Sequence, residues 1–449
     1  MGKCIHFVGI FGSGMSAIAT YLAGTGVKVT GSDRLDTSAD ARHIRVCLET
    51  AGCGIFPQDG SGVSGQTKAL VVSTAIEESN PDLVAAKALG IPVLHRSDVL
   101  AQIIQTKKAV VVAGTSGKST VTAMIFELLV GCGKAPSLIS GAALKSLAGP
   151  TAIGNSHNGN SDLLIVEGDE SDGTLVKYAP YGAVILNLSK DHKPEAEVFA
   201  MFETLCQKAG WVIKNRDDPK LDPLSTDLAF GFKGGTYTAK KTTGGLYESC
   251  LLVDGHPMSI KAPGDHNASN FLAALAVCQK LGCTLGELAR AAKHYQGVDR
   301  RFVVSHTKRG ITVIDDFAHN PEKIRAAITT AKDFSNRLVV MFQPHGFGPT
   351  RFLKDDYAAM FMEVLRPNDV LLLLPIYYAG GTAIKDITSQ DLINLMTGRT
   401  FRAYAPHSRQ DTYGLAVVAA HPGDAILIMG ARDPSLPAFI QEIICAIDP

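Results

Sequence analysis

One run constrains this chain more than any other: Ala109-Val110-Val111-Val112-Ala113, then Gly114-Thr115-Ser116-Gly117-Lys118-Ser119-Thr120. Consecutive apolar residues without polar alternation have the pattern of a strand buried on both faces. The glycines mark a tight turn, and Val121-Thr122-Ala123-Met124-Ile125-Phe126-Glu127-Leu128-Leu129 then reads as a helix. A helix opening on Lys-Ser-Thr after a glycine turn directs unpaired backbone N–H groups and a mobile cation at an anion. Phosphate suits this cradle, and the hydroxyl of Ser119 or Thr120 falls where a phosphate-bound Mg²⁺ needs an oxygen ligand. Val112 stands where the full P-loop pattern has its first glycine. An ordinary strand-to-helix turn with a surface lysine would share the glycines, but not the Gly117-Lys118-Ser119-Thr120 register. The expected ligand is a nucleoside triphosphate.

A chain of 449 residues has room for about three domains of ~150 residues each. Lys+Arg and Asp+Glu both number 43, so no global field favours a nucleic acid or an anionic membrane. The nine cysteines are scattered and none forms a Cys-x-x-Cys pair, which argues against a disulfide framework or a zinc site. They read as reduced thiols. The N-terminus enters a strand directly, without the charged region and cleavage site of a signal peptide. No apolar run reaches the ~20 residues that span a bilayer. A cytoplasmic protein, monomeric or homodimeric and acting on small molecules, is expected.

Residues 1–106 read as a first α/β domain. Cys4-Ile5-His6-Phe7-Val8 is a short strand, followed by Gly9-Ile10-Phe11-Gly12-Ser13-Gly14-Met15-Ser16, whose glycines permit a phosphate to approach a helix N-terminus. Val27-Lys28-Val29-Thr30-Gly31-Ser32-Asp33 is the next strand, and a carboxylate at such a strand end can bind a ribose hydroxyl. The pattern suits NAD, FAD or a UDP-sugar diphosphate, and glycines that merely allow close helix–strand packing would look the same. Ala69-Leu70-Val71-Val72-Ser73-Thr74-Ala75-Ile76 and Ile91-Pro92-Val93-Leu94-His95-Arg96 read as further strands, with a helix starting at Asn80-Pro81. Strand–helix alternation implies a parallel sheet with ligands at the strand C-terminal ends.

Residues 107–298 form the expected central domain. Residues 149–162, rich in Gly, Asn and Ser, read as a loop. Leu163-Leu164-Ile165-Val166 is a buried strand delivering Glu167-Gly168-Asp169-Glu170-Ser171-Asp172, four carboxylates within six residues. Such a cluster is solvated, paired with cations or bound to metal, and the nearby phosphate cradle calls for a metal partner. Ala183-Val184-Ile185-Leu186-Asn187-Leu188 is the next strand, ending at Asp191-His192. Gly264-Asp265-His266-Asn267-Ala268-Ser269-Asn270 precedes an Ala-rich helix; Asn267 and Asn270 share one face of its start, where helix capping is the competing explanation.

In residues 299–449, Ile311-Thr312-Val313-Ile314-Asp315-Asp316-Phe317-Ala318-His319-Asn320-Pro321 reads as a strand ending in charge before a helix opened by Pro321. Leu338–Phe342, Val370–Leu374 and Ala425–Met429 are apolar strands of a second doubly wound unit. The fold class is therefore α/β in three domains: a Rossmann-like N-terminal domain, a central P-loop ATPase-like domain on a mostly parallel sheet, and a Rossmann-like C-terminal domain.

Taken together these segments resemble the Mur ligase family, ATP-dependent amide ligases of peptidoglycan precursor synthesis, over essentially the whole chain. Gly114–Thr120 resembles the family's nucleotide loop, Glu167 its magnesium-binding Glu and His192 its metal- and phosphate-linked His. His266-Asn267 and Asn270 resemble its adenine-side motif, and Gly297-Val298-Asp299-Arg300-Arg301-Phe302 its nucleotide-contacting segment, with Arg301 in the arginine's place. The resemblance implies Mg²⁺ on Ser119, Thr120, Glu167 and His192, nucleotide contacts from Asp316, and catalytic roles for Lys118, Glu167, His192 and His319. Within the family the alanine-adding subgroup is closest, on Gly12-Ser13-Gly14-Met15, Ser32-Asp33, Ser73-Thr74 and Phe342-Gln343-Pro344-His345. The first three of these segments are implied to hold the UDP part of the substrate, and His319, His345 and Arg351 the amino-acid side. The implied reaction joins L-alanine to the carboxylate of UDP-N-acetylmuramate through an acyl phosphate.

Three positions depart from, or test, that pattern. Gly346-Phe347-Gly348-Pro349-Thr350-Arg351 replaces Arg-Phe-Thr-Arg-Thr-Arg, so two arginines expected on substrate carboxylates are missing and Arg351 alone stays. Ser116 replaces a histidine of the nucleotide loop. Cys206 occupies the place of a lysine that is carbamylated in many members, with Lys208 two residues off; the alanine-adding subgroup also lacks that lysine. Rival readings are a ligase adding a peptide in wall recycling or using another acid and amine, a non-catalytic nucleotide-binding paralogue, and a nicotinamide-dependent oxidoreductase. The last leaves Lys118, Glu167 and His192 unexplained.

Overall fold

The computed structural model describes residues 4–36, 41–190, 193–226, 228–243, 245–378 and 383–448. His192 lies outside the described residues. The chain divides into two compact units: Met1–Thr243 with Ser249–Lys261 and Asn267–Asp299, and Arg300–Pro449 with Gly244–Glu248 and Ala262–His266.

The first sheet of the first unit comprises β1 (Cys4–Val8), β2 (Val29–Ser32), β3 (Gly54–Phe56), β4 (Thr67–Val72) and β5 (Val93–His95). Its order is β3-β2-β1-β4-β5, parallel throughout. The chain steps outward from β1 to β3 and then returns to the other side of β1, so a crevice opens above the C-terminal end of β1. Gly9–Gly12 occupies that place and leads into the helix Ser13–Gly24. The strand expected to run through Arg96 stops one residue earlier. His95 and Asp98 form a reciprocal capping box, which turns the chain helical from Arg96 to Gln105.

The second sheet comprises β6 (Lys108–Ala113), β7 (Ser137–Ile139), β8 (Ser156–His157), β9 (Leu163–Glu167), β10 (Gly182–Ile185), β11 (Val212–Asn215), β12 (Leu228–Gly231) and β13 (Tyr237–Thr238). Its order is β13-β12-β11-β10-β6-β9-β7-β8, and only the β7–β8 pair is antiparallel. Every residue of Ala109–Ala113 is fully buried, as a strand covered on both faces requires. β6 sits between β9 and β10 with Val112 opposite Glu167 and Ala113 opposite Ile185. That register brings three strand ends level: Gly114, Glu167 and Leu186-Asn187 emerge side by side. Part of the expected loop 149–162 is ordered as β8, because Ser156 and His157 pair with Ile139 and Leu138. A three-stranded antiparallel sheet follows, β14 (Lys240–Thr242), β15 (Ser249–Val253) and β16 (His256–Ile260), and then the helix Asp265–Lys280.

The second unit carries one sheet, β17 (Val303–His306), β18 (Thr312–Asp316), β19 (Leu338–Gln343), β20 (Val370–Leu373), β21 (Arg402–Tyr404) and β22 (Ala425–Gly430). Its order is β17-β18-β22-β19-β20-β21, parallel except for β17. Val340 and Phe342 enter one core, while Val339 and Met341 enter another on the opposite face. Alternate side chains thus meet helices on both sides, which explains apolar runs without polar alternation.

Candidate active site

The turn after β6 is shaped by its glycines. Gly114 has φ +148° and Gly117 has φ +84°, conformations that L side chains rarely adopt. A Cβ at Gly117 would also lie 2.5 Å from Asn270 Oδ1, so Asn270 packs directly on the turn. Asn187, just beyond β10, clamps the loop: its Oδ1 accepts from Thr115 Oγ1 at 2.9 Å and from Ser116 N at 2.8 Å, while its Nδ2 donates to Ser116 O at 3.0 Å. Thr115 is fully buried, and its hydroxyl also pairs with Ser189 Oγ at 2.8 Å, so it frames the loop. Ser116 Oγ is shielded from solvent and has no hydrogen-bond partner, an orphan that a phosphate oxygen would satisfy.

Around this turn the acidic run is held in two groups. Ser119 Oγ donates to Glu167 Oε1 at 2.8 Å, and the other Glu167 oxygen accepts from Ser140 Oγ at 3.1 Å and Gly141 N at 2.7 Å. Lys118 Nζ donates to Gly114 O at 2.8 Å and lies 2.8 Å from Glu170 Oε2. Burial alone would lower the Lys118 pKa, but the carboxylates of Glu170, Asp169 and Glu167 outweigh it and push the ammonium above the ordinary lysine value. Burial also pushes the Glu170 carboxyl up, and Lys118 does not fully cancel that shift. For Asp169 burial opposes ionisation, yet Lys118 and Arg96 prevail and hold its pKa at about 2. Lys118 is therefore a held cation beside carboxyl groups, at the N-terminus of the helix Lys118–Gly131.

In the first sheet, Gly12 opens the helix Ser13–Gly24 without a side-chain cap, leaving its first N–H groups available. The Met15 side chain is buried in the core, so only its backbone can face a ligand. Ser32 is fully buried with its hydroxyl on Asp82, and Asp33 accepts from Phe11 N and Leu35 N, each at 3.0 Å. Both residues thus frame the glycine loop. The turn after β4 carries a half-buried Ser73 and an exposed Thr74, and Ile76 from the same turn would lie 3.5 Å from a Cβ on Gly9.

In the second unit, Asp316 ends β18 and accepts from Phe302 N at 2.8 Å and Ala318 N at 2.7 Å. Burial raises its pKa to about 6, against the pull of Arg301. Arg300 and Phe302 both have positive φ, so the backbone of this turn is strained. His319 Nδ1 donates to Phe317 O at 2.9 Å, which leaves Nε2 as the basic nitrogen, 3.3 Å from Lys323 Nζ. The His345 ring stands edge-on to His319 with centroids 5.4 Å apart. Arg351 pairs with Asp386 and donates to Ile384 O at 3.0 Å. Desolvation pushes the His266 imidazole down to about 4, so it is neutral near pH 7.

Three family models match in succession: "Mur ligase family, catalytic domain" over residues 4–108, "Mur ligase middle domain" over 112–278 and "Mur ligase, glutamate ligase domain" over 300–432. A UDP-N-acetylmuramate–L-alanine ligase of Paenarthrobacter aurescens is 36% identical, covering 98% of this chain and 97% of the relative. The chain belongs to the Mur ligase family. A ligase of the same name from Pelotomaculum thermopropionicum is 33% identical over 96% of this chain and 95% of its own length. Among solved structures, the UDP-N-acetylmuramate-alanine ligase of Thermotoga maritima superposes with a TM-score of 0.80 at 26% identity, covering 98% of both chains. A murein peptide ligase from Psychrobacter arcticus shares the fold with a TM-score of 0.70 at 19% identity, over 99% of both chains.

For a Mur ligase the donor set around Ser119 suits Mg²⁺: a hydroxyl and a carboxylate, both hard oxygens, meet where a triphosphate can supply the other ligands. Among the described residues no group of three or more His, Cys, Asp or Glu side chains is placed to hold a metal by protein ligands alone. Mg²⁺ characteristically keeps few protein ligands in phosphate sites. The structure of this Mur ligase also brings in residues that the sequence did not single out. Asn187 read as one more strand residue, although a polar side chain ending an apolar strand beside the phosphate strand was a usable signal. Ser140 and Gly141 reach Glu167 from just beyond β7, and nothing in their spacing announced it. Arg96, read as a strand end, donates from Nη2 to Asp169 and Asp172.

Proposed function

We propose that this chain is an ATP-dependent ligase that joins L-alanine to the carboxylate of UDP-N-acetylmuramate. Residues 1–106 take the UDP part, 107–298 the ATP, and 299–449 the amino-acid side. In the first step a carboxylate oxygen attacks the γ-phosphorus and the bond to the β–γ bridging oxygen breaks, giving an acyl phosphate and ADP. In the second the amine attacks the acyl carbon, loses a proton, and inorganic phosphate leaves.

Both reactants of the first step are anions, so fixed positive charge must stand at the transfer point. Lys118 supplies it, kept charged by the carboxylates around it. The N–H groups of the turn and the Ser116 hydroxyl orient the phosphates, and Asn267 and Asn270, of which Asn270 packs on the turn at Gly117, stand on the adenine side. Ser119 and Glu167 would hold Mg²⁺, with Thr120 and His192 as further candidates. Mg²⁺ supplies charge neutralisation on the β- and γ-phosphate oxygens when bound. His319 Nε2 is the candidate acceptor for the amine proton, and Lys323 must release it first.

The observation that carries this reading is the Ser119 Oγ–Glu167 Oε1 contact of 2.8 Å beside Lys118, which joins two remote strand ends at one phosphate cradle. A second reading, a ligase adding a peptide to the same acid, is favoured by Gly346 and Pro349 standing where two arginines are expected. The test incubates the chain with ATP, Mg²⁺ and UDP-N-acetylmuramate against L-alanine, glycine, L-serine and the wall tripeptide, with products read by mass spectrometry. The expected result is an L-alanine adduct with ADP and phosphate, and no turnover for Lys118→Ala. Absence of amine-dependent phosphate release across the panel refutes the ligase reading.

A further inference from the structure

Arg96 is the first residue of the helix Arg96–Gln105, and its guanidinium faces two ways. Nη2 donates to Asp172 Oδ2 at 2.7 Å and to Asp169 Oδ2 at 3.0 Å. On the other side, a Cβ at Gly14 would lie 2.6 Å from Nη1. Arg96 thus fills the space that any side chain at position 14 would need, over the first turn of the helix Ser13–Gly24. The opening N–H groups of that turn have no intrahelical acceptor, so helix end and guanidinium present donors to one small volume.

Neighbouring segments brace both helices. Asn155 Nδ2 donates to Ser13 O and to Ser16 Oγ, each at 3.0 Å. Asn158 Nδ2 donates to Tyr21 O at 3.0 Å, and Thr20 Oγ1 meets Ser156 Oγ at 2.5 Å. Lys177 Nζ, from the segment after the acidic run, lies 2.6 Å from Asp98 Oδ1 in the Arg96 helix. These contacts tie the first helix to residues 155–158 and the Arg96 helix to the segment after the acidic run, and Arg96 itself spans from Gly14 to Asp169 and Asp172. Arg96 is only 21% exposed and Asp172 only 6%, so their pairing is poorly screened.

Resting on the ligase reading above, we propose that Arg96 binds the diphosphate of the UDP substrate through Nη1 and is positioned for it by Asp172 and Asp169. Without Asp172 the guanidinium would swing free of Gly14. Without Arg96 the diphosphate would face two uncompensated carboxylates.

The full-length chain is titrated calorimetrically with UDP-N-acetylmuramate, UDP, uridine and Mg²⁺–ADP. For Arg96→Ala, affinity for UDP and UDP-N-acetylmuramate should fall on the order of 10- to 100-fold, the range of a charge-assisted hydrogen bond to phosphate. Uridine and Mg²⁺–ADP should bind as in the wild type. Arg96→Lys should fall between, and Asp172→Asn should lower the preference for UDP over uridine by a smaller factor. An unchanged preference in Arg96→Ala overturns the inference while leaving the ligase reading intact. A parallel loss of uridine and ADP binding also overturns it, because Arg96 would then be structural only. If wild type binds neither UDP nor UDP-N-acetylmuramate, the ligase reading falls and takes this inference with it.

Discussion

Asn187 offers the sharpest test of how the nucleotide loop is held. Replacing it by alanine removes three hydrogen bonds to Thr115 and Ser116, at 2.8–3.0 Å, and leaves the backbone of the strand end in place. Neutral hydrogen bonds contribute about 1 kcal/mol each on balance, so the ceiling is about 3 kcal/mol. Bonds within one cluster are not additive, and about 1.5–3 kcal/mol is a fair bracket. Ser116 and Gly117 are half-buried, so water replaces part of what is lost, and the Thr115–Ser189 pair still holds the buried end of the turn; the rest of the cost falls on ordering the turn around phosphates. At 1.4 kcal/mol per decade, the dissociation constant for Mg²⁺–ADP should rise about 10- to 150-fold. Asn187→Asp is the companion variant. It keeps an acceptor for Ser116 N, cannot donate to Ser116 O, and adds negative charge beside the phosphates, so it should bind ADP more weakly than the alanine variant. Calorimetric titration gives the affinities, and urea unfolding shows whether the fold is intact. ADP binding within twofold of wild type in a folded Asn187→Ala protein would refute the clamp.

Gly117→Ala places a Cβ 2.5 Å from Asn270 Oδ1 at φ +84°. The backbone cost alone is about 1–2 kcal/mol, so ADP affinity should drop at least about fivefold, and Asn270→Ala in the same chain should recover part of the steric share. Asp316 gives a pH dependence of stability. Its folded pKa of about 6 exceeds the ordinary aspartate value of 3.8, so the folded chain binds its proton more tightly than the unfolded one. That contribution is fully present below pH 3.8 and is lost as pH rises through about 6. It amounts to a ceiling of about 3 kcal/mol, which solvent reduces because Asp316 is only half-buried. Urea unfolding of wild type and Asp316→Asn from pH 4 to 7.5 should show a gap that changes across this window and is flat above it. A gap independent of pH would refute it.

What was legible in the sequence is what local pattern controls. The Lys118 loop, the acidic strand end at Glu167 and the apolar strands 338–342, 370–374 and 425–429 all announce themselves within a few residues, and each is found near its expected place. The helix at Pro321 was readable because proline needs no donor partner at a first turn. What escaped depends on partners remote in the chain. Asn187 matters only because β10 lies beside β6, and Arg96 only because the helix it begins reaches the acidic run. Ser32 and Asp33 read as ligand contacts from their position; what the sequence did not show is that their side chains also hold the glycine loop and the buried Asp82. A sequence shows which groups stand at a strand end, not which partners within the protein they also hold.

The placement of β6 between β9 and β10 has a consequence during synthesis. Its neighbours on both sides are encoded later than the lysine turn itself, so an emerging chain carries the turn long before either flank exists. Nucleotide affinity should therefore switch on late, once β10 has left the ribosome, and a stalled chain ending inside the acidic run should not capture ATP.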